Sequence, residues 1–148
     1  MANKFKFKKH KIPIPVQIAN MSSLFPHFSY NMKNNSVTWI GTLQPTAMSE
    51  KYTVKIQYAI NSYPNVWVVS PELKQRDTEN IPHTYGGSRL CLYLPGTGEW
   101  SGNMLIAKTI VPWTSLWLYY YELWHAIGEW LGGGVHPPTN KKQEGVDE

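Results

Sequence analysis

The sequence contains a single cysteine, Cys91, and no long apolar run. One cysteine cannot form an internal disulfide bond, so the sequence favours a reducing environment and predicts a cytoplasmic protein. No apolar run approaches the roughly 20 residues that a transmembrane helix needs, so we expect no membrane span. The basic residues 1–11 are not followed by an apolar segment with a cleavage site, and we therefore expect no signal peptide.

Motifs for metals and phosphate groups are lacking as well. The five histidines are scattered, without the H-x-x-x-H or C-x-x-C spacing of a zinc site, so we predict no metal. The glycines at Gly86–Gly87 and around Thr97 lack the Lys-Ser/Thr of a P-loop. The acidic residues show no pairing that suggests a mechanism with two carboxylates. The sequence thus predicts a protein without a cofactor.

The composition that remains is that of one globular domain. The chain has 148 residues, of which 42% are hydrophobic and 14% are aromatic, enough for one core. Much of the net charge of +4 lies in the first eleven residues, where a solvated extension is a simpler explanation than contact with nucleic acid or an acidic partner. We predict a basic N-terminal extension (1–15), a folded domain (16–131) and a flexible C-terminal tail (132–148).

The first half of the chain predicts one helix followed by strands. Apolar residues recur at helical spacing from Val16 to Tyr30, and Pro26 is expected to kink or end that helix. The polar residues 31–35 predict a turn. Three runs with strand-like patterns and short connections then favour an antiparallel meander: Ser36–Leu43, Tyr52–Tyr58 and Val66–Ser70.

The second half predicts a long surface loop at residues 71–87 and one helix. Pro112 is expected to stop the apolar stretch 104–111, and Thr114 or Ser115 to cap a helix that runs to about Ile127. Packing explains the tryptophans and tyrosines around this helix more simply than a stacking platform for single-stranded nucleic acid does.

Cys91 is the candidate nucleophile. Leu90, Leu92 and Leu94 alternate with it, so an extended run would place the leucines on one face and the thiol on the other. A thiol attacks only as thiolate, whose formation is favoured beside a cation. A cysteine buried in the core remains the alternative.

Two neighbours are candidates to assist the thiol. On an extended chain Arg89 lies on the same face as Cys91. His83 lies eight residues before the cysteine and comes near it if Gly86–Gly87 folds the loop back.

The order of these elements resembles the ubiquitin-conjugating enzyme (UBC) fold. The matching features are an N-terminal helix, the W-I-G-T-L-Q-P run from Trp39, the Y-T-V-K-I-Q-Y run from Tyr52, Tyr63–Pro64, the V-W-V-V-S-P run from Val66, then His83, Cys91, Trp100–Ser101 and a closing helix. The resemblance implies an α+β fold with an N-terminal helix, a four-stranded antiparallel meander, an active-site loop and one or more C-terminal helices.

In that family a His-Pro-Asn motif precedes the cysteine, an I-C-L motif contains it and a Trp-Ser pair follows. Here H-T-Y at His83–Tyr85, L-C-L around Cys91 and Trp100–Ser101 hold these places. Tyr85 stands where the family has the asparagine that stabilises the oxyanion in isopeptide formation. The resemblance therefore implies thioester formation, with Tyr85 as a substitute donor, and leaves transfer to lysine open.

The variant motifs H-T-Y, L-C-L-Y-x-P, I-V-P-W-T and G-G-G are similar to those of the bacterial stand-alone conjugating-type proteins. These proteins accompany cGAS-like nucleotidyltransferases in CBASS anti-phage systems. The resemblance implies that Cys91 captures the C-terminal glycine of the nucleotidyltransferase tail in a thioester-type link and so controls signalling. Because the chain shows no adenylating domain, the activated acyl group would come from a partner.

The resemblance also implies roles for the flanking residues. His83 would order the loop, while Tyr85 and Arg89 would polarise the carbonyl group or the thiol. The channel for the substrate would be walled by Pro95 and Trp100, next to Ser101. Two other functions remain open, a catalytically inactive member that only clamps its partner and a basic nucleic-acid-binding module. The oligomeric state is left open too.

Overall fold

The structure, a computed structural model, describes residues 10–133. Within this range it holds one six-stranded antiparallel sheet with the strand order β1-β2-β3-β4-β6-β5. The strands are β1 Ser29–Lys33, β2 Ser36–Leu43, β3 Tyr52–Ala59, β4 Asn65–Ser70, β5 Thr84–Gly86 and β6 Arg89–Leu90. Strands β1 to β4 pair with their neighbours in sequence, as the predicted meander requires.

The three central strands form because one side chain in two is apolar and buried. In β2 the residues Val37 and Trp39 are buried, while their neighbours are less so. In β3 every second residue from Tyr52 to Tyr58 is buried. This period of two directs one face of the sheet to the core. The bounds predicted for these strands agree with the structure to within one residue.

Strand β1 differs from the prediction, which placed a turn at residues 31–35. The turn is confined to the two residues between Lys33 and Ser36, where Asn34 takes a left-handed φ of 53°. All five residues of β1 are exposed, so the strand has no alternating apolar pattern. It forms because its backbone pairs with the edge of β2.

Helix α1 spans Ile14–Leu24, so it starts before the predicted segment 16–30 and ends just before Pro26, the residue predicted to kink or end it. Pro15 fits the first turn, where an amide hydrogen would have no partner inside the helix. Gln17 is 1% exposed, and its side chain bonds the oxygen of Met104 and the amide of Ile106, both at 2.9 Å. The side-chain amide of Gln17 thus connects α1 to the 3₁₀ turn Ile106–Lys108.

Helix α2 spans Ile110–Ile127 and corrects the prediction that Pro112 stops the preceding stretch. Pro112 lies in the first turn of the helix, where proline costs no hydrogen bond. Thr114 lies inside the helix and does not cap it, because its hydroxyl donates to the oxygen of Ile110 at 2.7 Å. The two helices confirm the α+β class for the described residues.

Within residues 10–133 no helix is long and apolar enough to cross a bilayer. Most of the predicted basic extension (residues 1–9) and most of the predicted tail (residues 134–148) lie outside the described range. The amide of Ile12 donates to the oxygen of Gly102 at 2.8 Å. The boundaries at residues 15 and 131 stay predictions.

Candidate functional site

A short hairpin places His83 beside Cys91. Strands β5 and β6 are joined at Gly87–Ser88, and Gly86 and Gly87 adopt φ angles of +124° and +60°, which favour glycine. The amide of Cys91 then donates to the oxygen of His83 at 2.9 Å. The two glycines therefore fold the loop back in the way that brings these residues together.

The main chain of His83 connects this loop to α2. Its carbonyl oxygen also accepts the indole Nε1–H of Trp117 at 3.0 Å. His83 has a φ of 54°, a left-handed conformation that is unfavourable for a residue with a side chain. Its ring lies 5.1 Å from that of Trp130. The backbone of His83 thus orders the loop.

A cavity of about 510 Å³ opens beside Cys91. Its lining comes from the cysteine loop, from one face of α2 and from the chain after α2: His83, Cys91, Leu92, Tyr93, Leu94, Glu99, Trp113, Leu116, Trp117, Tyr120, Trp130, Gly132 and Gly133. Cys91 is only 8% exposed. The sulfur is therefore nearly buried, in a residue that lines the cavity.

The alternation of leucines and thiol does not hold in the structure. Strand β6 ends at Leu90, and the residues after it are not in a strand. Leu90 is buried in the core, whereas Leu92 and Leu94 line the same cavity as Cys91. The period of two is lost after Leu90, where the chain is no longer part of the sheet.

The surroundings of the sulfur disfavour ionisation in the resting protein. Burial raises the pKa of the Cys91 thiol, and the carboxylate of Glu99 adds to this rise. A hydrogen bond from Tyr85 and the charge of Arg89 lower the pKa, but by less than burial raises it. Burial of the Tyr85 side chain, together with its hydrogen bond to Cys91, raises the pKa of Tyr85 to about 12. Tyr85 therefore keeps its proton at neutral pH.

The Tyr85 side chain contacts the sulfur of Cys91 and packs against Arg89. The guanidinium carbon of Arg89 lies 4.2 Å from the centre of the Tyr85 ring, a cation–π contact. Arg89 in turn donates from Nη1 to Oδ1 of Asn65 at 2.9 Å. The Tyr85 hydroxyl also lies 3.4 Å from the oxygen of Tyr93. This chain of contacts fixes a hydroxyl donor beside the thiol.

The segment Tyr63–Asn65 supports the cysteine loop at three points. The hydroxyl of Tyr63 accepts the amide of Gly96 at 3.0 Å. Pro64 accepts the hydroxyl of Tyr93, and Asn65 accepts Arg89. The Tyr-Pro pair was part of the predicted resemblance, but its contact with the cysteine loop was not predicted.

The three predicted substrate-binding residues are not among those that line the cavity. Trp100 is 1% exposed in the core, where its Nε1–H donates to Thr109 Oγ1 at 3.0 Å. Ser101 pairs with Asn103, and Pro95 is exposed. Aromatic side chains of α2 line the cavity, and the substrate-binding roles of the three residues stay predictions.

The α2 residues Trp113, Trp117 and Tyr120 were attributed to packing at the sequence level. Their spacing of three to four residues, with Leu116 between them, puts them on one helix face. That spacing was the available signal. The spacing shows that these residues share one face of the helix, but it does not show which part of the chain that face meets.

Among the described residues, no group of three or more His, Cys, Asp or Glu side chains could hold a metal ion.

The fold and the site together define an α+β protein with a single cysteine at an aromatic-lined cavity, a hydroxyl donor beside the sulfur and a loop held by main-chain bonds. A family model described as "Type II CBASS E2 protein" matches residues 17–137, more than half of the chain. The chain therefore belongs to the Type II CBASS E2 family, and the predicted resemblance to CBASS-associated conjugating-type proteins is confirmed. A search of curated proteins gives no match.

Proposed function

We propose that the protein is a ubiquitin-conjugating-like acyl carrier of a CBASS anti-phage system. Its Cys91 sulfur forms a thioester-type link with the C-terminal glycine of a cGAS-like nucleotidyltransferase and thereby regulates signalling. The proposal rests on the cavity of about 510 Å³, whose lining includes Cys91, the only cysteine of the chain. Family membership supports a CBASS partner. We also place the functional unit at residues 16–131 and the protein in the cytoplasm.

The proposed chemistry is acyl transfer to sulfur. The thiol first loses its proton to solvent, and the thiolate then attacks the carbonyl carbon of a carboxyl group that another protein has activated. A carbon–sulfur bond forms, and the bond to the activating group breaks with its electron pair on that group. The Tyr85 hydroxyl stabilises the thiolate, and next to the sulfur it is also the donor available to the carbonyl oxygen.

The other site residues act by position. Arg89 fixes the Tyr85 ring and adds positive charge near the sulfur. His83 acts through its carbonyl oxygen, which holds the Cys91 amide and the Trp117 indole. Because burial raises the pKa of the Cys91 thiol, only a small fraction is thiolate at neutral pH, and Tyr85 and Arg89 act by increasing that fraction.

The test is intact-mass analysis of the protein mixed with its nucleotidyltransferase and the activating enzyme of the same system. The wild type should give an adduct with the mass of both chains less one water, and hydroxylamine should release it. Cys91→Ala should give no adduct, and Cys91→Ser should give at most an oxygen ester, which hydroxylamine releases far more slowly at neutral pH than a thioester. An adduct that persists in Cys91→Ala would end the proposal.

The alternative is a catalytically inactive binding partner that clamps the nucleotidyltransferase. The raised pKa and the low exposure of Cys91 favour it, because both disfavour a reactive thiolate. Phage protection separates the two functions. Full binding and full protection by Cys91→Ala would support the clamp, whereas loss of protection with intact binding would support acyl transfer.

A further inference from the structure

The chain after α2 turns back along the cavity of Cys91. Helix α2 ends at Ile127, and the next residue, Gly128, caps it with a left-handed φ of 82° and an amide that donates to the oxygen of Trp124 at 2.8 Å. Residues 130–133, called the strap below, follow. Trp130, Gly132 and Gly133 of the strap line the cavity together with Cys91. One wall of the site is thus built by a segment outside the helix and the sheet.

The side chain of Trp130 bridges the two sides of the cavity. Its ring lies 5.1 Å from that of His83 on the cysteine loop. It also lies 5.3 Å from the ring of Trp117 and 6.1 Å from that of Tyr120, both on α2. Trp130 is half-buried, and the next residue, Leu131, is 51% exposed. The strap is therefore a surface segment that Trp130 attaches to both sides of the cavity.

The strap also approaches α2 more closely than a side chain permits. A Cβ atom on Gly132 would lie 2.4 Å from Cδ2 of Tyr120 and 2.8 Å from its Cγ. A Cβ atom on the neighbouring Gly133 would meet no atom within 4 Å. Neither glycine has a left-handed φ, so alanine is tolerated by the backbone at both positions. The two residues differ in the space that faces them.

We propose that the strap is a removable wall of the Cys91 cavity and sets the width of the acyl donor that can reach the sulfur. This inference rests on the proposed function in taking Cys91 as the reacting atom. With the strap in place, the cavity accepts the end of an extended polypeptide with small residues next to the carboxyl group. A donor with bulky side chains there requires displacement of Trp130 from His83 and Trp117.

Alkylation of the full-length chain tests the proposal without any partner protein. Because Cys91 is the only cysteine, the rate of thiol modification reports on this cavity alone. Iodoacetamide serves as the small reagent and a fluorescein-bearing maleimide as the bulky one. The ratio of the bulky-reagent rate to the small-reagent rate measures the width of the path and cancels changes in thiol ionisation.

Gly132→Ala should raise this ratio about ten-fold, because lost ring contacts of this kind change an equilibrium by that order. Gly133→Ala is the matched control: its methyl group meets no atom of the described chain within 4 Å, so the strap keeps its contacts and the ratio should not rise above the wild-type value. Trp130→Ala should raise the ratio at least as far as Gly132→Ala does. Circular dichroism and a melting curve establish whether each variant is folded. If Gly132→Ala does not fold, the test is decided by Trp130→Ala.

Equal ratios in the wild type, Gly132→Ala and Trp130→Ala would overturn the proposal, as would the same change in Gly132→Ala and Gly133→Ala. These outcomes are separate from those of the proposed function. If the adduct with the nucleotidyltransferase forms but the ratios do not change, only the wall is refuted. If the ratios change as expected but no adduct forms, only the acyl-carrier function is refuted.

Discussion

Replacing Tyr85 with phenylalanine removes the hydroxyl that contacts the Cys91 thiol and leaves the ring that packs under Arg89. The hydroxyl lowers the pKa of the thiol by a hydrogen bond that is stronger when sulfur is charged. Its loss should therefore raise the pKa further above the ordinary thiol value and reduce the thiolate fraction at neutral pH.

The size of the effect follows from the contact. A hydrogen bond to a charged group contributes roughly 1.5–3 kcal/mol. The lower end applies here, because the cavity next to Cys91 is open to solvent. Since about 1.4 kcal/mol corresponds to a factor of ten, Tyr85→Phe should slow alkylation by iodoacetamide at pH 7.5 by about ten-fold. The measurement is the rate of mass increase of the intact protein across a pH series.

Tyr93→Phe is the matched control. It also removes a phenol hydroxyl at the cavity, but that hydroxyl donates to the oxygen of Pro64 and not to the sulfur. Its alkylation rate should stay within about two-fold of the wild type, as expected for a lost bond to a neutral group remote from the reacting atom. If Tyr85→Phe and the wild type share one pH–rate curve, the assignment of Tyr85 as a donor to the thiolate is refuted.

Three further predictions concern the thiol and the core. Because burial raises the pKa of the Cys91 thiol, the wild-type alkylation rate should still increase at pH values where a free thiol has reached its plateau, and an early plateau would contradict this. Gly41→Ala should lower the free energy of unfolding by about 3 kcal/mol or more, because its Cβ would lie 2.3 Å from the Phe28 ring; an unchanged urea midpoint would argue against this packing. Gln17→Leu should cost about 2–4 kcal/mol in the same assay, since the buried polar groups of Met104 and Ile106 lose their partner; a neutral result would mean that α1 is not tied through this amide.

The central strands were predictable because each carries its own signal. From Tyr52 to Tyr58 the alternation of apolar and polar residues is complete, and the burial follows it. Strand β1 was not predictable, since its residues are all exposed and only the partner strand makes it a strand. The start of α2 was missed because the rule that proline ends a helix does not apply in the first turn, where Pro112 lies.

The site was predictable only in part. Cys91, His83 and Tyr85 could be singled out because they are close in sequence and match a motif order. The cavity could not be foreseen, since its walls come from the cysteine loop, from α2 and from the strap. The position of Trp100 shows the same limit, because a motif match does not tell whether a tryptophan faces a channel or the core.

In the proposed function the sulfur of Cys91 carries the acyl group. The most direct measurement is peptide mapping by mass spectrometry of the adduct formed with the nucleotidyltransferase and its activating enzyme, under acidic, non-reducing conditions. We expect a cross-linked peptide that joins the C-terminal glycine of the partner to Cys91 through a bond that a thiol reagent cleaves. Attachment to any other residue of this chain, or no cross-linked peptide although the partner is activated, would contradict it.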